Sequence, residues 1–137
     1  MPYAGDLSPT DAYRRVADGD AVLVDVRTAA EWSYVGVPDL SGIGRELVRI
    51  EWVSFPDGAR NPAFLEQLEA EGVGQDTHVL FLCRSGVRSV AAAEAATAAG
   101  WANAYNITDG FEGPTDAAGH RGTSAGWKAA GLPWRQG

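Results

Sequence analysis

The sequence holds one cysteine and two histidines among its 137 residues. A lone cysteine, Cys83, excludes an intramolecular disulfide, and His78 and His120 lie too far apart for zinc-type spacing. Basic residues are scarce. Eleven Lys and Arg against 18 Asp and Glu leave a formal net charge of −7. With no broad basic face to neutralise phosphates, neither nucleic acid nor an anionic membrane is expected as a partner. No apolar run approaches the roughly 20 residues that a membrane span needs. The first six residues, Met1 to Asp6, lack a basic stretch followed by an apolar one. No signal peptide is read there, and a soluble, reduced, cytoplasmic setting is expected. Repeats and low-complexity segments are absent too. The rest is ordinary: 45% hydrophobic and 21% charged residues suffice to build a core and solvate its surface. The length suits one domain over residues 1–137.

The elements alternate along the chain. Ser8-Pro9-Thr10-Asp11 offers an N-cap serine, a proline at the first helical position and an acid in the first turn, so a short helix is expected to run until Gly19. The β-branched run from Ala21 to Val26 suits a buried parallel strand. Thr28 and Glu31 occupy the reciprocal positions of a capping box, which predicts a second short helix. From Glu46 to Val53 charged and apolar residues alternate, predicting a strand with one exposed face. Asn61-Pro62 opens a helix carrying Phe64, Leu65 and Leu68 that stops at Gly72. A second buried strand is expected from His78 to Leu82, an alanine-rich helix from Ser89 to Ala99, and a weak last strand from Ala104 to Ile107. Residues 109–126 read as irregular loop before a short helix around Lys128. Strands alternating with helices predict an α/β fold with an open, mainly parallel β-sheet flanked by helices.

The chemistry concentrates in Cys83-Arg84-Ser85-Gly86-Val87-Arg88-Ser89. The cysteine sits where a buried strand ends, and in open α/β sheets ligands bind at the carboxyl ends of strands. A short loop running into a helix N-terminus aims backbone N–H groups inward as an anion nest. Gly86 supplies the conformational freedom for a tight curl, and Arg84 and Arg88 place two positive charges beside the thiol. All three features favour the thiolate. Cys83 can also be read as a small buried hydrophobe, but a core position is not expected to be followed by two arginines and a glycine.

This loop, CRSGVR, resembles the active-site loop of the rhodanese sulfurtransferases. Leu23-Val24-Asp25-Val26-Arg27 followed by Glu31-Trp32 is similar to the strand and helix near the start of rhodanese domains. Ser8-Pro9, Asp109-Gly110-Phe111-Glu112-Gly113, Trp127 and Gly131-Leu132-Pro133 fit the family's order as well. The likeness spans almost the whole chain. One segment departs from it: where the family carries Gly-His-Ile-Pro-Gly-Ala, this chain has Val35-Gly36-Val37-Pro38-Asp39-Leu40-Ser41-Gly42, without the histidine. Residues 112–126 are longer and richer in glycine than the family's usual finish, and read either as a flap or as a surface loop.

The resemblance implies sulfur transfer in two displacements through a Cys83 persulfide, with no cofactor. The donor would be a small anion such as thiosulfate; the acceptor would be cyanide in an assay, a thiol or another protein. Arg84 and Arg88 would hold the donor's oxygens. The backbone around Gly86 and Val87 would stabilise the terminal sulfur, and Ser85 and Ser89 would add polar contacts in the loop. Asp25 and Arg27 are read as structural or as residues at the pocket's edge, with Asp25 capping or pairing locally and Glu31 serving the capping box. His78, His120 and the five tryptophans are read as solvated or packing residues. Two rivals stand beside this reading. One is a module that carries sulfur with little thiosulfate turnover. The other is a cysteine phosphatase or arsenate reductase, which places its arginine after five intervening residues where this chain has four.

Overall fold

In the computed structural model, residues 3–19, 21–53, 59–84, 86–113 and 126–135 are described. Strand β1 (Gly5–Leu7) leads into helix α1 (Pro9–Ala17) and strand β2 (Ala21–Asp25). Ser8 caps α1 by accepting a hydrogen bond from the Asp11 N–H at 3.1 Å, as its sequence position requires. Helix α2 (Ala29–Tyr34) carries the full capping box of Thr28 and Glu31. Strands β3 (Val37–Pro38) and β4 (Val48–Arg49), helix α3 (Phe64–Ala70), strand β5 (His78–Leu82), helix α4 (Val87–Ala98) and strands β6 (Ala104–Ile107) and β7 (Trp134–Arg135) follow.

Five strands form one sheet in the order β1-β6-β5-β2-β4, and each of its pairings is parallel. Strands β3 and β7 form a separate antiparallel ribbon. The architecture is therefore an α/β fold with a mainly parallel sheet between helices. Both faces of the sheet are covered, because side chains alternate along each strand. Val79 and Phe81 of β5, with Cys83 beyond them, join Phe64, Leu68, Ala92, Ala96 and Trp101 on one face. Leu80 and Leu82 join Ala12, Val16, Phe111 and Trp127 on the other.

The topology fixes where a site can form. From β2 the chain proceeds to β4 on one side of the sheet, and from β5 to β6 on the other. Adjacent strands whose connections diverge leave a crevice at their carboxyl ends. Asp25 and Leu82 are register partners at that point, so the segments around Arg27 and Cys83 leave the sheet side by side.

Two expectations need correction. The strand expected from Glu46 to Val53 contracts to Val48–Arg49. Beyond it the edge chain is held by single bonds, Ile50 N–H to the Asp25 carbonyl and Trp52 N–H to the Val26 carbonyl. Its inward alternation survives, with Ile50 and Trp52 buried. The short helix expected around Lys128 is a series of turns, ended at Gly131, which adopts φ 75°, and at Pro133 two residues later. The short strands β1, β3 and β7 lacked a sequence signal, being only two or three residues long. His78 has a partner that the sequence did not disclose: Arg15 Nη2 lies 2.5 Å from its Nδ1. Its ring also stacks on Tyr105. His120 and residues 114–125 lie outside the described residues.

Candidate active site

Cys83 follows directly on β5, and its side chain is all but fully buried. The chain then curls through Gly86, which adopts φ 106° as the N-cap of α4. A Cβ would find ordinary van der Waals space there, so the backbone conformation is what calls for glycine. The curl brings the Gly86 N–H to 3.1 Å from Cys83 Sγ. Ser89 Oγ lies 3.2 Å from the same sulfur. The sulfur thus meets a backbone donor at the start of a helix and a hydroxyl one turn further on.

A second segment braces this loop from beneath. The N–H of Phe111 donates to the Cys83 carbonyl at 2.8 Å, and those of Glu112 and Gly113 donate to the Arg84 carbonyl at 3.0 and 3.1 Å. The fit is close at Gly110, where a Cβ would meet the Cys83 carbonyl oxygen and would lie 2.7 Å from Arg84 C and O. Asp109-Gly110-Phe111-Glu112-Gly113 is therefore the floor on which the cysteine loop rests.

The arginines are matched to carboxylates. Arg88 makes a bidentate pair with Glu31 of α2, Nη1 to Oε1 at 2.6 Å and Nη2 to Oε2 at 2.9 Å. Burial pushes the Glu31 carboxyl up, but the Arg88 guanidinium and the Thr28 hydrogen bonds outweigh it and hold it below the usual glutamate range. The hydrogen bonds that Arg88 donates to Glu31 in turn raise Arg88 against the effect of burial, with the fields of Glu31, Cys83 and Asp25 adding to the rise. Glu31 thus does more than close the capping box: it ties α2 to the start of α4. Arg84 is half exposed, with Nε 3.0 Å from Glu112 Oε2.

Asp25 and Arg27 are both fully buried and form a pair of their own. Arg27 Nε and Nη2 reach the Asp25 carboxylate at 2.9 and 2.7 Å, and Nη2 also donates to the Gly36 carbonyl. The guanidinium lies over the Phe111 ring, 4.3 Å from its centroid. Arg27 therefore locks the floor segment and the turn at Gly36 to the end of β2. Of the remaining loop positions, Val87 is 76% exposed, and Ser85 lies outside the described residues. Ser89 is fully buried and faces inward, its hydroxyl lying between Cys83 and Asn106 of β6.

Sequence reasoning missed Glu112, Asn106 and Asp6. Asn106 left one trace, a lone amide in a short apolar strand, since a buried amide requires partners. Among the described residues, no group of three His, Cys, Asp or Glu could hold a metal ion, and no helix is long and apolar enough to cross a membrane.

Cys83 is thus recessed in a strand-to-helix loop, with the Asp25-Val26-Arg27 segment beside it. The model of the STR4 middle domain matches residues 4–137. The chain belongs to this rhodanese-like family. The crystal structure of Rv0390 from M. tuberculosis is 55% identical and superposes with a TM-score of 0.88, covering 98% of this chain and 99% of that one. An uncharacterized protein of Rickettsia conorii is 36% identical over 131 residues, 95% of this chain and 96% of its own length. The chloroplastic rhodanese-like domain-containing protein 4 of Arabidopsis thaliana is 30% identical over 132 residues. Those residues make up 95% of this chain and only 25% of the plant protein. The rhodanese-like fold with its single buried cysteine is consistent with a role in handling sulfur.

Proposed function

We propose that this protein is a sulfurtransferase that moves a sulfane sulfur through a persulfide on Cys83. The observation that carries this reading is the placement of the only cysteine at the switch point of the sheet, 3.1 Å from the Gly86 N–H. In the first displacement the Cys83 thiolate attacks the outer sulfur of a donor such as thiosulfate. A bond forms between Sγ and that sulfur, the donor's S–S bond breaks, and sulfite leaves with the electron pair. In the second, a thiophilic acceptor (cyanide or a thiol) attacks the terminal sulfur, and Cys83 leaves as thiolate. Splitting one transfer into two displacements is the gain of covalent catalysis. The backbone donor and the N-terminus of α4 face negative charge on the sulfur at each stage. Arg84, half exposed beside the cysteine, would meet the donor's oxygens.

The pairing of both arginines with glutamates favours a second reading, in which the persulfide is cargo for a thiol or protein acceptor and thiosulfate turns over slowly. Steady-state cyanolysis with thiosulfate, set beside transfer from the loaded protein to a low-molecular-weight thiol, tests both. Turnover in the first assay supports the enzyme. Transfer only in the second supports the carrier, and inactivity in both overturns the sulfur reading.

A further inference from the structure

Cys83 stands at one end of a polar chain that crosses the sheet to its edge. Ser89 Oγ lies 3.2 Å from Cys83 Sγ and 2.5 Å from Asn106 Oδ1, and Asn106 Nδ2 lies 3.0 Å from Asp6 Oδ1. Register explains how residues a hundred positions apart meet, since Asp6 of β1 and Asn106 of β6 are directly paired and Asn106 pairs in turn with Phe81 of β5. All of these side chains stand on the face that α4 covers, which is also the face of Cys83. Ser89 and Asn106 are buried, whereas Asp6 is exposed.

The direction of each hydrogen bond follows from what the groups can donate. An ionised carboxylate only accepts, and Asp6 also accepts from the Tyr3 hydroxyl at 2.9 Å. Asn106 must therefore turn its NH2 toward Asp6 and its carbonyl oxygen toward Ser89. That oxygen can only accept, so Ser89 spends its single proton there. What Ser89 presents to Cys83 is a lone pair. A thiol can donate into it; a thiolate cannot be stabilised by it unless the hydroxyl rotates and gives up Asn106.

We infer that Asp6 and Asn106 are positioning residues that act through Ser89 to keep the proton on Cys83. The inference deepens the reading of Cys83 as the sulfur-carrying nucleophile and rests on it. Other groups act on the sulfur or stand near it in the chain. Arg88 of α4 and the Gly86 N–H favour the thiolate, Glu31 of α2 offsets Arg88, the Asp25–Arg27 pair at the end of β2 is matched in charge, and Arg84 is matched by Glu112. The Ser89 hydroxyl is the one contact of the sulfur whose sense the Asp6 chain sets.

The test is the pH profile of Cys83 alkylation by iodoacetamide. In Asp6→Ala, Asn106 is free to turn and donate to Ser89, which can then donate to the thiolate. The profile should move to lower pH, with alkylation at neutral pH about three- to tenfold faster, the worth of one hydrogen bond. In a Ser89→Ala background the same Asp6 substitution should move nothing. Asp6→Ser serves if alanine frays β1, since serine is too short to reach Asn106. A profile that stays in place or moves to higher pH in Asp6→Ala overturns the inference. So does an equal shift in the Ser89→Ala background, which would mean that only the carboxylate's charge matters. Alkylation uses no sulfur donor, so a failed shift counts against this relay, while a parent protein that takes up no sulfur counts against the transfer reading.

Discussion

Arg84 and Arg88 are neighbours in the loop but differ in what holds them, and the difference separates their substitutions. Arg84 is half exposed and touches the largely buried Glu112 through Nε alone, whereas a bidentate pair holds its geometry more firmly. Arg84→Ala should raise KM for an anionic donor and lower the melting temperature less than Arg88→Ala does. Arg88 is clamped to Glu31 between two helices. Arg88→Ala should lower both kcat and thermal stability, since it leaves a half-buried carboxylate without its partner. Steady-state kinetics and thermal melts of the two variants check the contrast, and two matching variants would contradict it. The same pair sets a pH response. The Glu31 carboxyl is held below its ordinary range in the folded protein. Its contribution is therefore complete above the unfolded glutamate value of about 4.3 and fades as pH falls through the lower, folded value. Glu31→Gln should be less stable than the parent at neutral pH, and the gap should close on acidification.

Two backbone elements meet beneath the sulfur, and glycines serve them in different ways. At Gly110 a side chain would collide with the backbone of Cys83 and Arg84, whereas at Gly131, also at positive φ, nothing lies within 4 Å of an added Cβ. Both alanine variants carry conformational strain of about 1–3 kcal/mol. Only Gly110→Ala must also push the cysteine loop off its floor. Chemical denaturation should find Gly110→Ala the less stable of the two, and activity should fall only there. The length of the loop is a second test at this scale. Inserting one glycine between Gly86 and Val87 moves the Gly86 N–H and the start of α4 relative to Cys83. Geometry misplaced by about 1 Å can cost roughly a hundredfold in rate, so the insertion should lose most sulfur transfer. An insertion variant with parental activity would remove the loop's curl from the mechanism.

At the scale of the whole molecule, the buried Asp25–Arg27 pair joins three segments, the end of β2, the turn at Gly36 and the floor at Phe111. Removing one partner leaves an uncompensated buried charge, so Arg27→Met should destabilise by about 3–5 kcal/mol in equilibrium unfolding. How much of this was legible in the sequence follows from range. Local signals were faithful: the Ser8 cap, the Thr28 and Glu31 box, the apolar run of β5 and the placement of Cys83 before a glycine and a helix. Contacts made across the sheet left almost no mark, because pairing Glu31 with Arg88, or Asp6 with Asn106, depends on a strand order that local patterns do not encode. Edge strands of two or three residues are too short to show a period.

Sulfur transfer turns on one atom, Cys83 Sγ. Intact-mass and peptide spectra of the protein after exposure to thiosulfate, with Cys83→Ser in parallel, examine it directly. A persulfide adds one sulfur atom, about 32 Da, as covalent sulfur transfer requires. The account predicts that gain on the peptide containing Cys83, its loss on adding cyanide, and none in Cys83→Ser. A parent protein without the added sulfur, or a serine variant that transfers sulfur as well as the parent, would contradict it.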